Sequence, residues 1–249
     1  MKNLIVANYR PHGKQFEADL RRLVNVQIEN SLALGWGPDD LVIVSNLEFD
    51  CAGVKYRTGL NESCLTGSKM FALKHMFDEG IIQDGEMWWA HDLDAWQNYW
   101  FDAPDCLDMG LAEYSVPKFN GGSVFLRRTA HDLVTAIVER IQSKRLNQEE
   151  PSINHVLRSQ THAHRVTTLN STYNVGCSAY APRYERSLKP ILVSHFRPTT
   201  QTSWKTHVDG NNLLGISSVS PRLLQLLIDR FYHGVRPRFP HNKSSKQRK

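Results

Sequence analysis

The sequence predicts an α/β fold with a Rossmann-like, mixed but mostly parallel sheet flanked by helices. Three observations predict it. The apolar runs Leu4 to Asn8, Leu41 to Ser45 and Met87 to His91 are too short for helices and read as buried strands. Between the first two, Phe16, Leu20, Leu23, Val24, Ile28 and Leu32 recur at helical spacing, and Gly35 closes the stretch. Strands and helical patterns thus alternate, as they do where strands lie side by side in one parallel sheet.

Each element has a local reason. Pro11 and Gly13 break the chain into a loop after the first strand. Residues 47–64 are irregular, with a strand at Gly53 to Tyr56. Ser68 caps a helix whose apolar face holds Phe71, Leu73, Met76 and Phe77, with Gly80 past its end. After the third strand the pattern changes. Gly121 and Gly122 read as a turn running into a strand, and Thr129 and Asp132 open a helix carrying Val134, Ile137, Val138 and Ile141. Pro151 takes a first-turn position in the next helix. Arg165 to Leu169 and Ile191 to Phe196 read as late strands, and Ser220-Pro221 starts a final helix over residues 220–233.

At 249 residues, 41% hydrophobic and 22% charged, the chain can bury one large core without disulfides. Its four cysteines are scattered with no Cys-x-x-Cys pair, which points to a reducing compartment and away from a zinc framework. With no apolar run near the roughly 20 residues of a membrane span and a first strand at the N-terminus, the expected location is cytoplasmic. The net charge of +5 is unevenly spread: seven Lys and Arg follow Asp229 with no acid, which leaves −2 for the rest. The basic tail, residues 235–249, is either a solvated end or a contact for a polyanion.

The stretch Glu86 to Gln97 organises the chain. It is a short strand ending in Asp92-Leu-Asp94. Ligands of open α/β sheets bind outside the carboxyl ends of strands. Two aspartates two positions apart on extended chain point the same way and can share one hard divalent cation. The competing reading is a helix N-cap ahead of Ala95 to Tyr99. With fourteen aspartates in the chain, roughly one Asp-x-Asp arises by chance, so context must decide.

That context is a series of motifs in order: Thr66-Gly-Ser-Lys-Met70, Asp92-Leu-Asp94, Phe119-Asn-Gly-Gly-Ser-Val-Phe125, Gln148-Glu-Glu-Pro-Ser-Ile-Asn154, Leu169 to Asn174, and His195-Phe196. Together they resemble a GT-A-fold glycosyltransferase, nearest to the glycogenin-like and galactosyltransferase-like retaining group (family 8). The resemblance covers about residues 3–210. It differs in a second glycine where Phe-Asn-Ser-Gly has serine, in Glu149 and Glu150 where aspartate is usual, and in Ser203-Trp-Lys205 where Lys-Pro-Trp is usual.

The resemblance implies a single domain over residues 1–234, with a nucleotide-binding half to about residue 95 and an acceptor half from about 96 to 217. It implies a UDP-linked nucleotide-diphosphate sugar as donor, Mn²⁺ or Mg²⁺ as cofactor, and transfer to a glycan or other hydroxyl acceptor, with retention and inversion of configuration both left open by the departures from the family's motifs. Asp94 and His195 would bind the cation, with Asp92 on the metal or the ribose. An imidazole beside hard oxygens suits Mn²⁺ better than Mg²⁺.

Other residues have two readings each. Lys69, at a helix start, favours phosphate or is a solvated charge; Lys205, after His195, is a lid over the diphosphate or a surface lysine. Asn8 and Tyr9 lie beyond the first strand, where Tyr9 can stack on a base or simply be half buried. Asn120, Gly121 and Gly122 border the sugar and acceptor, or form a turn needing positive φ. Glu149 or Glu150 holds sugar hydroxyls or acts as a base, or complements a helix N-terminus. Trp88 and Trp89 read as core.

Two other functions compete. A sugar-phosphate nucleotidyltransferase would want a Gly-rich phosphate loop after the first strand, and residues 8–13 lack one. A nucleic-acid-binding protein, or a sugar transferase acting on DNA, would rely on the basic tail alone.

Overall fold

The computed structural model describes residues 1–9, 14–57, 68–115, 118–146, 149–176 and 185–195. Among these, ten strands form two sheets: β1 (Lys2–Ala7), β2 (Leu41–Ser45), β3 (Val54–Arg57), β4 (Trp88–His91), β5 (Ala95–Gln97), β6 (Met109–Ser115), β7 (Lys118–Leu126), β8 (Val166–Leu169), β9 (Val175–Gly176) and β10 (Val193–His195). The main sheet runs β3-β2-β1-β4-β7-β6-β8, and the small one runs β5-β10-β9. The β1–β4 region is parallel throughout, while β7 is antiparallel to both β4 and β6. The sheet is therefore mixed, as the sequence predicts.

Alternation along each strand divides the core. Leu4 and Val6 of β1, Val42 and Val44 of β2, and Trp88 and Ala90 of β4 face one side. There they meet α2 (Ser68–Asp78), α3 (His131–Ser143) and α4 (Glu150–Leu157). Ile5, Ala7, Leu41, Ile43 and Trp89 face the other, against α1 (Lys14–Ala33). Trp89 is fully buried, its ring centroid 6.2 Å from those of Trp36 and Phe125 and 5.2 Å from that of Phe101. Burying an aromatic of this kind stabilises by about 1.5–3 kcal/mol. Trp88 and Trp89 are thus core, as expected.

Three local readings change. Gly121 and Gly122 sit inside the nine-residue β7, and neither has positive φ. They mark a close approach to neighbours, not a turn. Residues 95–97 form β5, which removes the helix-capping reading of the two aspartates. β6 has no counterpart in the sequence analysis, because Met109-Gly-Leu-Ala lacks the polar alternation that betrays a half-exposed strand.

No helix among the described residues is long and apolar enough to cross a membrane. Lys205, the helix over 220–233 and the basic tail lie outside the described residues.

Candidate active site

The site forms where the two sheets meet, at the end of β4. β4 stops at His91 and the chain turns: the Ala95 amide donates to the Asp92 carbonyl at 2.9 Å. The turn, and not extended chain, brings Asp92 and Asp94 together. Gln27 of α1 holds it, since its Nε2 donates to the carbonyls of Leu93 and Ala95, each at 2.9 Å, on either side of Asp94.

β10 pairs antiparallel with β5, with His195 opposite Ala95, so His195 is delivered beside the turn. Its Nε2 lies 3.2 Å from Asp94 Oδ1 and 3.5 Å from Asp92 Oδ2. One ligand atom each from Asp92, Asp94 and His195 lies within 4.8 Å of the others. Burial favours the neutral imidazole, but Asp94 and then Asp92 outweigh it and raise the His195 pKa above its ordinary value. The buried His195 Nδ1 has no hydrogen-bond partner.

β7 forms the floor. The Asp92 amide donates to the Gly122 carbonyl at 2.9 Å. The Gly122 amide donates to Asn120 Oδ1 at 2.7 Å, and Asn174 Nδ2 donates to the same oxygen at 2.9 Å. A Cβ on Gly122 would lie 2.2 Å from His195 Cε1 and 2.3 Å from Nδ1, so the imidazole seat requires glycine.

Below the turn lies a buried charge cluster. Lys69 is 4% exposed, and its Nζ sits 2.5 Å from Asp92 Oδ1 and 3.0 Å from Glu149 Oε1 while donating to the Gly121 carbonyl. An ammonium has three hydrogens, and these three acceptors use them. Desolvation opposes the Lys69 charge, but Asp92 and Glu149 override it and raise the pKa. Desolvation likewise opposes charge on Asp92, and Lys69 followed by His195 holds it below the usual carboxylate range. For Glu149 burial wins, pushing the pKa up to about 7 against the pull of Lys69. Glu149 Oε2 is buried with no partner. Asn154 docks α4 on β7, accepting from the Phe119 amide at 2.8 Å and donating to its carbonyl at 2.9 Å.

The structure thus unites Asp92, Asp94, His195, Lys69, Glu149, Asn120, Gly121 and Gly122. Lys69 is a buried bridge under the site, not an open phosphate contact. Glu149, the residue paired with Lys69, precedes Glu150, the first residue of α4. Asn8 is linked through its Nδ2 to Ser68 Oγ at 2.9 Å, next to Lys69, and its Oδ1 is buried without a partner. Tyr9 is tied by its backbone to Asn46 through two 2.8 Å hydrogen bonds.

Sequence reasoning missed Gln27 and His91. Gln27 carried a signal: it falls on the buried stripe of α1, between Leu23 or Val24 and Ser31, where a polar side chain needs a partner. His91 stacks on Trp89 at 4.1 Å and reaches Asn3 Oδ1 through Nε2 at 3.0 Å. Burial lowers its pKa to about 4 and keeps it neutral.

The sequence matches no protein-family model and no curated protein. Among solved structures the chain is similar to a glycosyltransferase involved in the glycosylation of the major capsid of PBCV-1. That match covers 84% of this chain and 100% of the other, at 12% identity and a TM-score of 0.51. It is also similar to the glycosyltransferase GlyE of Streptococcus pneumoniae TIGR4, over 94% of this chain and 65% of that one, at 11% identity and a TM-score of 0.54. These likenesses establish the architecture as the GT-A fold of glycosyltransferases.

Proposed function

We propose that this protein is a metal-dependent glycosyltransferase that moves a sugar from a nucleotide-diphosphate sugar to an acceptor hydroxyl. The observation that carries the reading is the convergence of Asp92, Asp94 and His195 at the strand end of a GT-A fold. Two carboxylates and an imidazole make a donor set for Mn²⁺, and His195 Nε2 faces both carboxylates. Asp94 and His195 would hold the ion with Asp92, and when bound it neutralises charge on the departing diphosphate.

The chain's own residues supply the rest. Lys69 stays charged and fixes Asp92 and Glu149 from below. Glu149 Oε2, buried and unpartnered, is our acceptor for a hydroxyl of the transferred sugar, because a buried acceptor gains most from a donor that arrives with the ligand. Asn8 and Tyr9 belong to the nucleotide side. In transfer, the bond from the anomeric carbon to the diphosphate oxygen breaks, a bond to the acceptor oxygen forms, and the acceptor's proton passes to solvent or to the released nucleoside diphosphate. Among the described residues nothing favours the nucleotidyltransferase or nucleic-acid readings.

The test is a panel of nucleotide sugars incubated with the protein and Mn²⁺, followed by release of nucleoside diphosphate. Turnover of at least one donor that stops with chelator is expected. No turnover of any donor, or turnover indifferent to chelator, would remove the proposal.

A further inference from the structure

We infer that Gly121 and Glu149 form one steric unit that sets where the site holds the transferred sugar. The inference rests on the reading just proposed. Glycine inside a strand packs nothing and loses more backbone entropy than other residues, so its presence there needs a reason. Backbone conformation is not the reason, because Gly121 does not have positive φ.

Space is the reason. A Cβ at position 121 would lie 2.9 Å from Glu149 Oε1 and 2.9 Å from Ile153 Cδ1. The Glu149 carboxylate occupies the volume that a side chain on β7 would fill. It is not free to step aside, because Oε1 is 3.0 Å from Lys69 Nζ, and the same ammonium donates to the Gly121 carbonyl. Ile153 is fully buried on α4, and α4 is pinned to β7 by Asn154. A side chain at 121 therefore pushes the carboxylate off Lys69 and swings the unpartnered Oε2 away from its present place.

The geometry also defines the compensating change. Glu149→Asp withdraws the carboxylate by one methylene and opens the volume above position 121. Gly121→Ser fills it. Each substitution alone spoils the fit, and the two together relieve the carboxylate contact, leaving only the contact with Ile153 Cδ1 to be absorbed. Gly121 is thus a positioning residue acting through Glu149.

Four proteins test this: the wild type, Gly121→Ser, Glu149→Asp and the double variant. Thermal unfolding without ligand is measured first. The thermal shift is then recorded with Mn²⁺ plus UDP, and with Mn²⁺ plus UDP-glucose or UDP-galactose. Each single variant should melt lower than the wild type, and the double variant should recover the share of the loss that comes from the carboxylate contact, melting above the sum of the single losses. The UDP shift should fall less than the UDP-sugar shift in each single variant. The preference for the UDP-sugar over UDP should fall about 10-fold in each single variant, the factor for losing one hydrogen bond of about 1.4 kcal/mol, and return in part in the double. Purely additive losses in melting and in sugar preference would overturn the inference. So would a Gly121→Ser variant that loses the UDP shift as well, or a wild type that binds UDP and gains nothing from either sugar. If the wild type binds no nucleotide, the proposed donor class falls, while the melting cycle still decides whether positions 121 and 149 are coupled.

Discussion

Replacing Gly122 with alanine should disable the cation site without unfolding the protein. The ideal Cβ would stand 2.2 Å from His195 Cε1, and ordinary contact begins near 3.4 Å, so ring and strand must separate by about 1.2 Å. The strand cannot supply that movement cheaply. Gly122 is bonded through its carbonyl to the Asp92 amide and through its amide to Asn120, and β7 is paired on both sides. The imidazole moves instead, away from Asp92 and Asp94. Overpacking of this kind costs about 1–3 kcal/mol in stability, whereas a misplacement near 1 Å costs about 100-fold in turnover. The assay is Mn²⁺ titration followed by electron paramagnetic resonance, with thermal unfolding as the control for fold. Wild-type Mn²⁺ affinity in Gly122→Ala would refute the reasoning, since it would mean His195 takes no part in the site.

Three other substitutions are expected to separate structure from chemistry. Lys69→Met leaves the buried Glu149 and the partly exposed Asp92 without their cation, so denaturant unfolding should show a loss of about 3–5 kcal/mol, relieved by Glu149→Gln in the same chain; a loss under about 1 kcal/mol would show the cluster to be solvated. Gln27→Leu removes both donors from the turn and should lower Mn²⁺ affinity by about 10-fold to about 100-fold, as loss of a ligand-orienting group does; unchanged affinity would mean the turn holds itself. Arg165→Met tests a distant network, in which Arg165 bonds Asp132 and Asp108 and holds the Asp132 carboxyl below its ordinary value of 3.8. A lowered carboxyl pKa stabilises above the unfolded value and loses that contribution as pH falls through the folded one. The melting difference between Arg165→Met and wild type should therefore be full at neutral pH and narrow below about pH 4; a gap undiminished in acid would assign it to packing and to the Arg165 hydrogen bond on the Thr129 carbonyl.

Much of the fold was legible because its strands are short apolar runs with flanking breakers, and because α1 carries a regular apolar stripe. The apolar run Leu41 to Ser45 coincides with β2. The less legible parts were those where tertiary contact overrides local pattern. Residues 95–97 are extended because β10 pairs with them, and β10 lies about a hundred residues away in the chain. Gly121-Gly122 has the composition of a turn, yet Glu149 and His195 crowd the strand there and demand glycine. At the site, Asp92, Asp94 and His195 were legible as a set. Their convergence through a turn and a second sheet was not. Lys69 stands out in the sequence by its place at a helix start, whereas its orientation depends on Asp92 and Glu149, which no local pattern reveals. Gln27 shows the converse: a polar residue on an apolar stripe was a usable signal for a buried contact.

The central claim is that Asp92, Asp94 and His195 hold a divalent cation that sugar transfer requires. The most direct measurement is Mn²⁺ binding and Mn²⁺-dependent release of nucleoside diphosphate, followed together in the wild type and in Asp94→Ala. Asp94 is chosen because its carboxylate lies nearest to His195 and outside the Lys69 cluster. The expected result is one tight Mn²⁺ per wild-type chain, lost in the variant along with turnover, while its thermal unfolding stays close to wild type. Wild-type turnover in Asp94→Ala, or turnover that survives removal of all divalent metal, would contradict the account.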